Sequence, residues 1–88
     1  MLRISRVEAP DEVVTLRLEG QVSGPWVDVL RTVCEQWLAT GSALTLDLME
    51  VSFVDSDGMA LCRCLKEQQV AFRHYSPFVG EQLRGHGL

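Results

Sequence analysis

The sequence predicts an α/β fold of order ββαβαβα, a mixed four-stranded sheet covered by helices, in a single domain over residues 1–88. Two observations carry this. Apolar and polar residues alternate in Val14-Thr15-Leu16-Arg17-Leu18 and again in Leu44-Thr45-Leu46-Asp47-Leu48, the period of a strand with one buried face. Between and after these runs the period changes: Trp26, Leu30, Val33 and Trp37 recur at helical spacing, as do Met59, Cys62 and Leu65.

Taken in order, Leu2, Ile4 and Val7 alternate with Arg3, Ser5 and Arg6 in a first strand ending at Ala9-Pro10-Asp11-Glu12. Proline cannot donate to a ladder and its neighbours form turns, so a hairpin connection is expected there. Val14, Leu16 and Leu18 form the second strand, expected to stop at Gly20. Gly24-Pro25 starts the first helix, whose apolar face adds Val27, Cys34 and Leu38, and Gly41 supplies its left-handed stop. The third strand runs from Leu44 through Val51, Phe53 and Val54 and is expected at the centre of the sheet. After Asp55-Ser56-Asp57-Gly58 a second helix is expected to reach about Gln69. Val70, Phe72 and His74 alternate in a fourth strand. Ser76-Pro77 reads as the cap and first residue of a last helix, closed by Gly85 and Gly87.

Composition narrows the function classes. With 47% hydrophobic and 23% charged residues the chain is too apolar for disorder, and no apolar run approaches the roughly 18 residues of a membrane span. The first six residues lack the apolar stretch of a secretory signal. Twelve acidic against eight basic residues leave a net charge of −4, against nucleic acid as the partner, since that binding is mostly phosphate neutralisation. Three cysteines without a signal peptide favour a reducing cytoplasm and free thiols. Cys62 and Cys64 on a helix point about 200° apart and cannot share one ion. His74 and His86 are isolated, so no metal is expected, no cofactor is implied, and the cysteines read as buried and inert. So small a chain encloses a substrate pocket and a catalytic constellation with difficulty. A binding or switching module is expected rather than an enzyme.

The informative segment is Asp55-Ser56-Asp57-Gly58, where a strand hands over to a helix. The free N–H groups and macrodipole of a helix N-terminus favour negative charge, and an exposed Ser56 there is a sensible phosphoacceptor. Asp and Ser are also the ordinary N-cap residues, so these four residues alone need no function.

The longer string Leu44-Thr45-Leu46-Asp47-Leu48-Met49-Glu50-Val51-Ser52-Phe53-Val54-Asp55-Ser56-Asp57-Gly58-Met59-Ala60-Leu61 resembles the core signature of the STAS family, the bacterial anti-sigma-factor antagonists and their relatives. Val14 to Gly20 looks like the family's second strand with its terminal glycine. Ser76-Pro77-Phe78-Val79, with Leu83 and Gly87-Leu88, looks like its last helical segment. The resemblance implies a STAS-like fold, C-terminally trimmed, and a partner-binding loop of Asp55, Ser56, Asp57, Gly58 and Met59. It implies phosphorylation of Ser56 by an anti-sigma factor serine kinase, which the unphosphorylated antagonist binds and the phosphorylated form releases. That is partner switching in transcription regulation by a cytoplasmic phosphoprotein.

Three positions depart from the pattern. Asp57 stands where a second hydroxyl is usual. Gln21 or Ser23 stands where an aspartate follows the second strand. Lys66-Glu67-Gln68-Gln69 runs into Val70 without the usual glycine turn, and the chain stops before a closing element. An apolar face left open in this way would favour a homodimer. The alternative reading within the same family is the small accessory subunit of a lipid-transport ABC system, which binds its ATPase constitutively and fits Asp57. An enzyme using Asp55 and Asp57 would need a third ligand or a matched base that the sequence does not offer. Trp26 and Trp37 read as core, and Arg63, Lys66, Arg73 and Arg84 as a solvated surface.

Overall fold

A computed structural model describes residues 1–7 and 13–87. Strands β1 (Leu2–Val7) and β2 (Val13–Val22) are followed by helix α1 (Trp26–Ala39), strand β3 (Ala43–Val54), helix α2 (Ser56–Glu67), strand β4 (Ala71–Arg73) and helix α3 (Pro77–Gly85). This is the predicted order. The expected hairpin connection at Ala9–Glu12, and Leu88, lie outside the described residues.

The sheet is mixed, with strands in the order β1-β2-β3-β4. β1 runs antiparallel to β2, with Leu2 opposite Gly20 and Val7 opposite Thr15. β3 lies parallel to β2 and to the short β4, so it is interior, as its apolar run suggests. Leu2 and Ile4 of β1, Val14, Leu16, Leu18 and Val22 of β2, and Leu44, Leu46 and Leu48 of β3 join one core with Val27, Leu30 and Cys34 of α1 and Met59, Leu61, Cys62 and Leu65 of α2. Each fully buried leucine contributes about 1.5–3 kcal/mol of transfer free energy. Registered residues share a face, so the opposite side of the sheet sets Arg3 beside Glu19, and Asp47 between Arg17 and Arg73. Trp26 and Trp37 pack half-buried against the core, and the Arg6 guanidinium lies 4.8 Å from the Trp37 ring centre.

Four local expectations are corrected. β2 does not stop at Gly20 but continues to Val22. Gly20 takes φ +109°, and a Cβ there would stand 2.2 Å from the Met1 carbonyl oxygen. Glycine is needed at that position so that the start of β1 can close onto β2, where Gln21 N–H donates to Met1 (3.1 Å). Second, the alternation in β3 slips. The pairing with β2 shifts between Arg17 and Glu19 and again between Gly20 and Gln21. Each shift inserts an extra β3 residue, so Val51 and Val54 point inward while Phe53, opposite Gln21, is exposed. Third, β4 ends at Arg73. His74 adopts φ +61° and leaves the sheet, and only Val70 and Phe72 of the expected alternation turn inward. Fourth, Cys64 is exposed, whereas Cys34 and Cys62 are buried as expected. Burial pushes the Cys34 thiol up to about 12, helped by Cys62 and Glu35, and the Cys62 thiol up to about 11.

The absent glycine after α2 has a structural answer. α2 ends at Glu67, two residues short of the expected limit, and Gln69 itself takes the left-handed φ of +70°. Gln69 N–H donates to Lys66 (3.0 Å) and Val70 N–H to Leu65 (3.0 Å). A glutamine thus closes the helix where glycine is usual.

α3 begins as read: the Ser76 hydroxyl accepts from Val79 N–H (3.2 Å), with Pro77 in the first turn. It lies along the half of β3 that β4 is too short to reach. There the Gln82 side chain donates to the Val54 carbonyl (3.0 Å) and accepts from the Val54 N–H (3.3 Å). A side-chain amide thus occupies the hydrogen-bonding edge where another strand would sit.

Candidate functional site

The loop between β3 and α2 is built on Asp55, which is extended (φ −81°, ψ −178°) and caps α2. Its Oδ1 accepts from Gly58 N–H at 2.7 Å and its carbonyl from Met59 N–H at 2.8 Å, closing the first helical turn. Its own N–H donates to Val22 at the end of β2 (3.1 Å). Its Oδ2 accepts from Gly24 N–H at 3.0 Å, just before α1. α1 has no side-chain cap of its own, since Pro25 stands at that position. One carboxylate therefore lies beside the positive ends of two helices, where negative charge is favoured.

The first turn of α2 divides into buried and exposed parts. Gly58 is buried, and a Cβ there would stand 2.6 Å from the Val22 carbonyl oxygen and 2.7 Å from Val54 Cγ1. It permits close approach within the chain itself, with an ordinary helical backbone. Met59, expected in a partner-binding loop, is 1% exposed and anchors α2 in the core. Ser56 and Asp57 are both exposed. Ser56 is the first helical residue rather than the cap, so its side chain is free of the capping work that Asp55 performs. The exposed surface of the expected loop thus reduces to the Ser56 hydroxyl and the Asp57 carboxylate, beside the half-buried Asp55.

A STAS domain family profile matches residues 5–69. The chain belongs to the STAS domain family. Among solved structures, it is similar to the anti-sigma factor antagonist SpoIIAA in its unphosphorylated form, with a TM-score of 0.73 at 18% identity, over 93% of this chain and 82% of that one. The shared element order extends the likeness past the profile match into α3. No curated protein matches this STAS domain in sequence.

In this STAS domain Ser23 is the residue that follows β2. It is half-buried, and its carbonyl accepts from Trp26 N–H (3.2 Å). Gln21 is still within β2 and exposed. No carboxylate extends from either position, so Asp57 is the charge exposed next to Ser56. Among the described residues no group of three or more His, Cys, Asp or Glu is placed to hold a metal ion, and no helix is long and apolar enough to cross a membrane. Sequence reading missed Gly24 as the partner of Asp55. Its Gly-Pro pair signals a helix start, whereas a hydrogen bond spanning 31 positions has no local signature.

Proposed function

We propose that this STAS domain is a regulatory protein-binding module of the anti-sigma-factor-antagonist type, docking an anti-sigma factor serine kinase through the loop at Ser56. Phosphorylation of Ser56 by that kinase ends the docking. The observation that carries the reading is the exposure of Ser56 on a turn already fixed by Asp55, within a fold similar to SpoIIAA. A phosphoserine adds about −1.5 to −2 charge. It would lie beside Asp57 and close to Asp55, whose two oxygens are held by backbone N–H groups. The helix N-terminus offsets part of that repulsion. The added charge therefore alters the docking surface while the backbone beneath it stays in place.

The reading is tested by incubating the domain and its Ser56→Ala variant with the cognate kinase and ATP, and following phosphate by intact mass. One phosphate on the wild type and none on the variant is expected. Equal labelling of both removes Ser56 from the switch.

Asp57 favours a second reading, the small accessory subunit of a lipid-transport ABC system, because a fixed carboxylate at that position suits constitutive binding of an ATPase. Affinity capture from native lysate separates the two: a sigma-regulating kinase supports the first, a transporter ATPase the second.

A further inference from the structure

At the far end of α2 from Ser56, the last turns of α2 and α3 and the short β4 enclose a groove of about 170 Å³, lined by Lys66, Phe72, Tyr75, Gly80, Leu83 and Arg84. Its shape follows from the backbone. His74 turns the chain out of the sheet at φ +61°, and Tyr75 then lies on α3 where Gly80 has no side chain. A Cβ on Gly80 would meet the Tyr75 ring carbons at 3.2 and 3.3 Å. Two aromatic rings and the buried Leu83 thus form an apolar lining. Lys66 and Arg84 supply cations from the two helix ends. Arg84 is bonded to Glu81 (2.6 Å), whereas Lys66 has no acidic partner among the described residues.

We propose that this groove binds a small monocyclic aromatic carboxylate, with its ring against Phe72 and Tyr75 and its charge at Lys66. The volume sets the size. A cavity of about 150 Å³ accommodates benzene, whereas drug-sized ligands occupy about 300–1,000 Å³. The two rings favour an aromatic guest in offset or edge-to-face contact. The Lys66 ammonium, without an acidic partner among the described residues, selects an anion over a neutral analogue, and a single carboxylate costs less to desolvate beside apolar walls than a doubly charged phosphate. The groove is roughly 15 Å from Ser56 along the ten residues of α2 between Ser56 and Lys66, so the site stands or falls independently of the partner-docking reading.

The test is an amide-resolved NMR titration of the whole domain with phenylacetate, then with neutral phenylacetamide. Saturable shifts at Phe72, Tyr75, Gly80 and Leu83 are expected with phenylacetate at millimolar concentrations, and about threefold weaker binding of the amide, as a partly exposed charge pair provides. Lys66→Gln, an exposed change that leaves the spectrum of the fold intact, is expected to bring phenylacetate down to the level of the amide. Gly80→Ala, which presses on the Tyr75 ring, is expected to weaken both. Equal binding of the two probes, indifference to Lys66→Gln, shifts centred elsewhere, or no saturable shift at all would each overturn the proposal.

Discussion

Gly24 and Asp55, thirty-one positions apart, are joined by a 3.0 Å hydrogen bond from the Gly24 N–H to Asp55 Oδ2. The same carboxylate caps α2 through its other oxygen, so the turn that carries Ser56 and the start of α1 form one unit. An N-cap change to alanine costs typically about 1 kcal/mol, and loss of a second backbone hydrogen bond to a charged group adds about 1.5 kcal/mol. Asp55→Ala is therefore expected to lower stability by about 2–3 kcal/mol in urea unfolding. Asp55→Asn, which can keep the cap but has only one accepting oxygen, is expected to lose about half of that. No loss in Asp55→Asn, with the cap cost alone in Asp55→Ala, would show that the Gly24 bond contributes nothing.

The pairing of Gln82 with Val54 makes a second prediction. Gln82→Ala leaves the Val54 N–H and carbonyl without the protein partners they now have on the edge of β3. Because the site is partly buried, the expected cost is about 1–2 kcal/mol, with faster hydrogen exchange at Val54 than in the wild type. Unchanged exchange there would contradict the side-chain amide's role as a strand substitute.

Gln69 predicts a gain rather than a loss. A left-handed backbone costs a residue with a Cβ roughly 1–2 kcal/mol, and glycine escapes this at an entropic cost of about 0.5–1 kcal/mol. Gln69→Gly is expected to stabilise the domain by about 0.5–1 kcal/mol, read as a higher midpoint at an unchanged urea m-value. A lower midpoint would mean that the glutamine side chain contributes something beyond the turn.

Much of the fold was legible because β2, the first half of β3, α1 and α2 each carry a readable period and punctuation by Gly, Pro or Asp. What was not legible follows from backbone events that leave no local pattern. The two register shifts in β3 turned Phe53 outward, although the residue types Val51, Phe53 and Val54 suggested a continuous inward run. Gly20 looked like a stop because glycine usually is one, but its purpose is to admit the Met1 carbonyl. At the site, a capped helix start and the exposure of Ser56 followed from residue types, whereas the choice of Asp55 over Ser56 as the cap, the bond to Gly24 and the burial of Met59 depended on how β2 and β3 end side by side.

On the polar face of the sheet, Asp47 accepts a hydrogen bond from Met49 N–H (3.0 Å) and lies 3.3 Å from His74 Nδ1, and Arg17 and Arg73 are registered on either side. Desolvation opposes its ionisation, but these donors and the charges of His74 and Arg17 outweigh it, holding the carboxyl below its ordinary value. A lowered folded value stabilises the fold at pH above the unfolded carboxylate range and is lost as pH falls through the folded value. The stability lost in Asp47→Asn is therefore expected to shrink as pH falls through and below the ordinary carboxylate range. A difference that grows as pH falls through the carboxylate range would reverse the sign and refute this account of Asp47.

The central claim is that Ser56 is a charge switch on a preformed docking turn. It is tested most directly by measuring the affinity of the partner kinase for the unphosphorylated and Ser56-phosphorylated domain, with amide spectra of both forms. The account predicts at least a tenfold loss on phosphorylation, about 1.4 kcal/mol, with amide shifts confined to the β3–α2 turn and the neighbouring start of α1. Equal affinity of the two forms, or shifts spread across the sheet, would contradict it.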